Sequence, residues 1–250
     1  MATAADGDSW RGAPSPGGPG EPRGSGVPGP SWNGRSIVGR HPGWPAALGP
    51  LPSGAGDVAL RPLRRRDGPA WRELRLQDQR LIARWDATST LTWEQRHTAA
   101  MFRAQRGLLF SAARRGEALP FAVTVDGRFA GQMTFGGLQR GVLQSAWLGY
   151  WVQSGVQGHG VATTAAALAV AHAFDVVGLH RVEATISPEN AASRAVVTHV
   201  GFRQEGRLQR YLDIDGAWRD HLLYAITVED LPAGVPRLDA LLAGYRSSHS

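Results

Sequence analysis

The stretch Gln157-Gly158-His159-Gly160-Val161-Ala162 sets glycines at the entry of a long apolar run. A helix start leaves backbone N–H groups without intrahelical partners and carries partial positive charge, so it favours anions. Glycine there lets a phosphate approach the backbone closely. The pattern is neither the dinucleotide G-x-G-x-x-G nor a P-loop, because no Lys followed by Ser or Thr stands at the required spacing. A plain loop before a buried helix is the other reading. Further along come Arg181 with Glu183, Pro188-Glu189-Asn190 with Ser193, Tyr211, and Trp218-Arg219-Asp220-His221. The chain has no Cys, which excludes disulfides, Cys-based zinc sites and a Cys-linked acyl intermediate. Its His residues are scattered without ligand spacing, so no metal is expected.

Alternating strands and crossing helices must position these groups. Val58–Leu63 alternates as a strand. Asp67 is placed to cap a helix to about Gln77, with Pro69 in its first turn. Leu81, Ile82 and Trp85 suggest a short helix, and Thr92 with Gln95 forms a capping box for a long helix to about Arg115. Phe121–Val125 and Arg128–Phe135 flank Asp126-Gly127, a strong hairpin signal. Val142–Val152 reads as a further strand, and Val161–Val177, apolar nearly all round, as a buried helix lying on a sheet. Arg181–Ser187 is a strand, and Ala191–Val200 a helix closed by Gly201. Phe202–Ile214 and Ala217–Thr227 pair around Asp215-Gly216. The fold class is α/β with a mixed sheet.

Residues 1–56 are rich in Gly and Pro and show no apolar period, so a disordered extension is expected there. One domain is expected over 57–230 and a tail over 231–250. No run is long and apolar enough to span a membrane and no secretory signal is evident, so a cytoplasmic protein is expected. Every basic residue is Arg, and the formal charge of +6 suits a polyanionic partner.

Taken in order over roughly residues 58–228, these motifs resemble the GNAT superfamily of acetyl-CoA-dependent N-acetyltransferases. Within it they most resemble the ribosomal-protein-alanine N-acetyltransferases. The resemblance implies a central twisted mixed sheet, split at the acetyl-CoA site and flanked by helices. It assigns the pyrophosphate to Gln157, Gly158, His159, Gly160, Val161 and Ala162. Backbone groups near Trp151 and Val152 are implied to hold pantetheine and polarise the thioester carbonyl. Asn190 and Ser193 are implied cofactor contacts, with Ser193 near the thiol. Asn190 also reads as a helix cap and Ser193 as a first-turn serine.

Three positions depart from the family pattern. Thr198-His199-Val200 replaces the usual Glu-Lys-Leu before Gly-Phe. Trp147 stands where many relatives place a catalytic Glu, and Arg210 where some close relatives place one. Glu183 is the candidate base or water-orienting residue, its alternative being an ion pair with Arg181. Asp86 and Asp213 are reserves. Tyr211 competes with Ser193 as the group that protonates the leaving thiolate. An α-amine, with pKa near 7.7–8.0, is already roughly one-tenth free base at neutral pH, so a base is less critical than for a Lys side chain. The implied acceptor is the N-terminal α-amine of a ribosomal or other protein, acetylated by direct transfer in a ternary complex of a monomer or homodimer. No direct nucleic-acid binding is expected, although ribosomal RNA, like CoA, would suit the charge. The alternatives are a small-amine acetyltransferase acting on a polyamine or aminoglycoside, and a non-catalytic acyl-CoA sensor.

Overall fold

The computed structural model describes residues 43–247. Eight strands form one sheet: β1 (Leu48–Ser53), β2 (Gly56–Pro62), β3 (Ala118–Val125), β4 (Arg128–Gln139), β5 (Ser145–Val152), β6 (Arg181–Ile186), β7 (Arg203–Ile214) and β8 (Ala217–Thr227). Their order is β1-β2-β3-β4-β5-β6-β8-β7. Only the β5–β6 pair is parallel. Both expected Asp-Gly hairpins form, with Asp126 and Asp215 at positive φ and Gly127 and Gly216 following.

Seven α-helices lie among the described residues: α1 (Gly68–Gln77), α2 (Gln79–Ile82), α3 (Trp93–Arg96), α4 (Ala99–Arg115), α5 (Val161–Asp175), α6 (Ala191–Val200) and α7 (Arg237–Ser247). Helix α5 packs against β1, β2, β5 and β6, and its Ala165, Ala166, Ala167, Ala169 and Ala173 are fully buried. Small side chains let the helix lie close to the sheet. Alternate residues of β3 feed two clusters. Phe121 and Val123 join the larger one around α5, while Ala122 joins Leu63, Trp71, Phe102 and Phe129 beside α1 and α4. The sheet is therefore buried on both faces.

The structure departs from the sequence expectations in four places. The part of the expected 1–56 extension that falls on residues 1–42 lies outside the described residues. The rest belongs to the fold, with β1 pairing antiparallel with β2. Trp44 is buried against Phe110 and Phe121, at ring separations of 5.6 and 5.5 Å. His172 Nε2 donates to the carbonyl of Gly43 at 2.8 Å. A few apolar side chains thus anchor a segment whose composition suggested none.

The expected tail contains α7. Leu238, Leu241, Leu242 and Tyr245 recur at helical spacing, and Leu241 and Leu242 bury against α5 and α6. The long helix from Thr92 breaks at His97. The Thr92–Gln95 capping box forms, but His97 Nδ1 takes the Trp93 carbonyl at 2.6 Å, and Thr98 caps a new helix at the N–H of Met101. Asp67 does not cap α1 with its side chain. Its buried carboxylate accepts two bonds from Arg61, at 2.7 and 2.8 Å, and one from the Arg64 N–H.

Among the described residues no helix is long and apolar enough to cross a membrane.

Candidate active site

Strand β5 pairs with β4 over most of its length, from Ser145 to Val152. With β6 it pairs only at Ser145, Ala146 and Trp147. Beyond Trp147 the two strands part, and β6 continues against β8 alone. Residues 148–152 therefore present one backbone edge to a gap rather than to a neighbouring strand. Tyr150 bridges that gap. Its hydroxyl donates to the carbonyl of Ser193 in α6 at 3.1 Å, and burial holds the phenol well above its usual pKa.

The loop after β5 is pinned from two sides. The buried carboxylate of Asp78, at the end of α1, accepts from the N–H of Ser154 at 2.7 Å and from its hydroxyl at 2.6 Å. The N–H of Gly54, in the β1–β2 turn, donates to the carbonyl of His159 at 2.9 Å. Gly158 and Gly160 both have φ of 76°, a backbone region that glycine enters without strain. Gly160 caps α5 without a side chain, and the first turn carries no acid. The helix thus offers its first N–H groups and its positive end to an anion.

Gln157 turns back, its Nε2 donating to the carbonyl of Val152 at 3.1 Å. Asn190 caps α6 by accepting from the N–H of Ser193 at 3.1 Å.

A cavity of about 1190 Å³ joins these elements. Gln157, Gly158, Gly160, Val161, Ala162, Asn190 and Ser193 line it, as do Trp151 and Val152. His159 does not; its exposed ring bonds the Gln157 carbonyl at 2.8 Å. Glu183 and Tyr211 do not line it either. Glu183 accepts from Arg181 Nε at 2.6 Å, and Arg181 also pairs with Glu205. The ion pair weighed as the alternative for Glu183 is thus formed. Tyr211 is 45 % exposed and packs edge-on to His221. It follows Arg210, whose φ of 48° marks an irregularity in the β7–β8 register.

The cavity reaches both faces of the sheet through the gap. On the α1 side it is walled by Gln132, Trp147 and Trp151 from the strands and by Arg75, Asp86, Arg96 and His97 from the helices and loops. Arg75 is buried, donating to Asp86 at 2.5 Å and to His97 Nε2 at 3.0 Å, with its guanidinium over Trp93 and Trp151. Arg96 donates to the same Asp86 oxygen at 2.9 Å. His97 uses its Nδ1–H for Trp93 and its Nε2 lone pair for Arg75, which makes it neutral; burial lowers its pKa, and the neighbouring arginines add to that. The following segment clamps the β7–β8 hairpin. Thr88 Oγ1 donates to Asp213 Oδ1 at 2.6 Å and accepts from the N–H of Gly216 at 2.8 Å. Both reserve carboxylates, Asp86 and Asp213, therefore already have protein partners.

Sequence reading missed Arg75, His97, Gln132 and Tyr245, all of which line the cavity. For Tyr245 the signal was available in the period of α7. For the others it was not, since their convergence depends on how α1 and α3 dock on β4 and β5.

Residues 57–203 match the family described as acetyltransferase (GNAT) domain. The chain belongs to the GNAT acetyltransferase family. As a GNAT protein it is an acetyl-CoA-dependent transferase. It resembles the structure of Mycobacterium smegmatis RimJ in complex with CoA-disulfide, with 50% identity and a TM-score of 0.79 over 82% of this chain and 98% of that one. The [ribosomal protein uS5]-alanine N-acetyltransferase of Escherichia coli is 30% identical over 135 residues, 53% of this chain and 70% of the relative. The probable N-acetyltransferase YjcK of Bacillus subtilis is 37% identical over 105 residues, 42% of this chain. The match spans 58% of YjcK's own length. Among the described residues no group of three or more His, Cys, Asp or Glu is placed to hold a metal.

Proposed function

We propose that this GNAT enzyme moves the acetyl group of acetyl-CoA to the N-terminal α-amine of a protein, by direct transfer in a ternary complex. The observation that carries this reading is the continuous cavity through the β5–β6 gap. It has the glycine turn before α5 at one end and a wall containing Arg75 and Arg96 at the other.

The N–H groups from Gly158 to Ala162 hold the pyrophosphate, with Gln157 fixing the loop to Val152. Asn190 orients the start of α6. The β5 edge that faces the gap near Trp151 and Val152 holds pantetheine and polarises the thioester carbonyl. Acetyl-CoA supplies an acyl group on a good leaving sulfur. Ser193, in the first turn of α6, donates a hydrogen bond to the departing thiolate.

The acceptor side favours a neutral amine. Asp86 is shared between two guanidiniums, so the local balance is positive and disfavours an ammonium ion. An α-amine, with its low pKa, meets that condition near neutral pH, while a polyamine does not. A ribosomal-protein N-terminus is supported by the name of the Escherichia coli relative, and such an acceptor is consistent with a cytoplasmic enzyme.

CoA release measured with short peptides bearing Ala, Ser or Met N-termini, with spermidine and kanamycin as controls, tests the reading. Turnover abolished by blocking the N-terminus, despite an internal Lys, is the expected result. Turnover with the small amines alone would replace the reading, and acetyl-CoA binding without any turnover would leave a sensor.

A further inference from the structure

Gln132 lies on β4, in register with Ala122 on β3 and Trp151 on β5, so it shares the sheet face that looks toward α1. Its side chain is only 7 % exposed and lines the cavity. Nε2 makes a long bond to Thr134 Oγ1 at 3.4 Å, while Oε1 is buried without a hydrogen-bond partner among the described residues. Buried amide oxygens are rarely left this way, and where they are, a ligand group or water commonly fills the vacancy. Arg75, on the same wall, directs its Nε to His97 and its Nη2 to Asp86. An occupant of the acceptor side can supply an N–H to the Gln132 oxygen.

Building on the function proposed above, we infer that Gln132 is the positioning residue for the acceptor amine. Its Oε1 accepts one N–H of the neutral amine, which turns the lone pair toward the thioester held along β5. As the N–C bond forms and the C–S bond breaks, the nitrogen gives up one proton to water and the sulfur takes one up. The remaining N–H stays on Gln132. An amide oxygen suits this task better than a carboxylate. It accepts the N–H without the full negative charge that would favour the protonated, unreactive amine.

The test is acetyl-CoA turnover by the full chain with an N-terminal peptide, comparing wild type with Gln132→Met and Gln132→Glu. Gln132→Met keeps the volume and removes the acceptor oxygen. It is expected to raise the peptide KM and lower kcat/KM by about tenfold. Acetyl-CoA affinity and thermal midpoint should hold or, for the midpoint, rise. Gln132→Glu retains an acceptor oxygen and should recover part of the loss, the remainder being the protonated amine that its charge favours. Unchanged kcat/KM in Gln132→Met overturns the inference, as does a loss shared by acetyl-CoA affinity and thermal midpoint, or an equal loss in both variants. Turnover by wild type with a small amine alone defeats the N-terminal acceptor but not this inference, because the same variants then report on that amine. No turnover with any acceptor defeats both.

Discussion

Gly160 and Tyr245 meet so closely that a Cβ on Gly160 would overlap the Tyr245 hydroxyl, although the two lie in elements far apart in sequence. Gly160 ends the glycine turn before α5 at φ 76°, and Tyr245 reaches it from α7. Gly160→Ala therefore faces two penalties: a left-handed backbone, about 1–2 kcal/mol, and overpacking, about 1–3 kcal/mol. The variant should bind acetyl-CoA at least about tenfold more weakly and melt at lower temperature. Calorimetric titration checks this, and wild-type affinity would remove Gly160 from the cosubstrate site.

Tyr150 ties the open edge of β5 to α6. Tyr150→Phe removes that donor from the Ser193 carbonyl, which keeps its place in α6, and should cost about 0.5–1.5 kcal/mol in urea unfolding. An unchanged unfolding midpoint would show that the bond carries no weight in holding α6 over the gap.

Glu183 and Tyr211 should be dispensable for chemistry. Glu183→Gln removes one half-exposed ion pair, worth up to about 1 kcal/mol. Both Glu183→Gln and Tyr211→Phe should keep kcat/KM within about twofold. A loss beyond about tenfold in either would return that residue to the reacting centre.

Acid should weaken the α1–α3 wall through His97. Burial lowers its folded pKa below the unfolded value of 6.5, so the unfolded chain binds the extra proton first as pH falls. Stability from this group is complete above about pH 6.5 and declines below it. His97→Asn should flatten the thermal midpoint between about pH 6.5 and 5.5, relative to wild type. Parallel slopes for the two proteins would exclude His97 as the source.

Much of the fold was legible because its signals are local. The Asp126-Gly127 and Asp215-Gly216 turns, the apolar α5 and the Gly201 cap each depend on a few adjacent residues. The helix from Thr92 was misread as continuous because its break comes from the His97 ring capturing the Trp93 carbonyl, a competition no propensity shows. The segment before β2 was misread because its Gly and Pro content outweighed Trp44 in any compositional reading. Its stability comes from Phe110, Phe121 and His172, which are distant in sequence.

For the site, the sequence alone determined the glycine turn from Gln157 to Ala162 at the start of α5 and the cap formed by Asn190. In both, one short stretch of backbone makes the geometry. Tertiary structure decided where β5 leaves β6, and so which backbone edge is open. It also decided that Glu183 turns to Arg181, that Arg75 lies over Trp151 while bonding Asp86 and His97, and that Gln132 is buried with an unpartnered oxygen. These depend on strand pairing and helix docking between residues far apart along the chain, and local periodicity carries no record of which distant partner a side chain will meet.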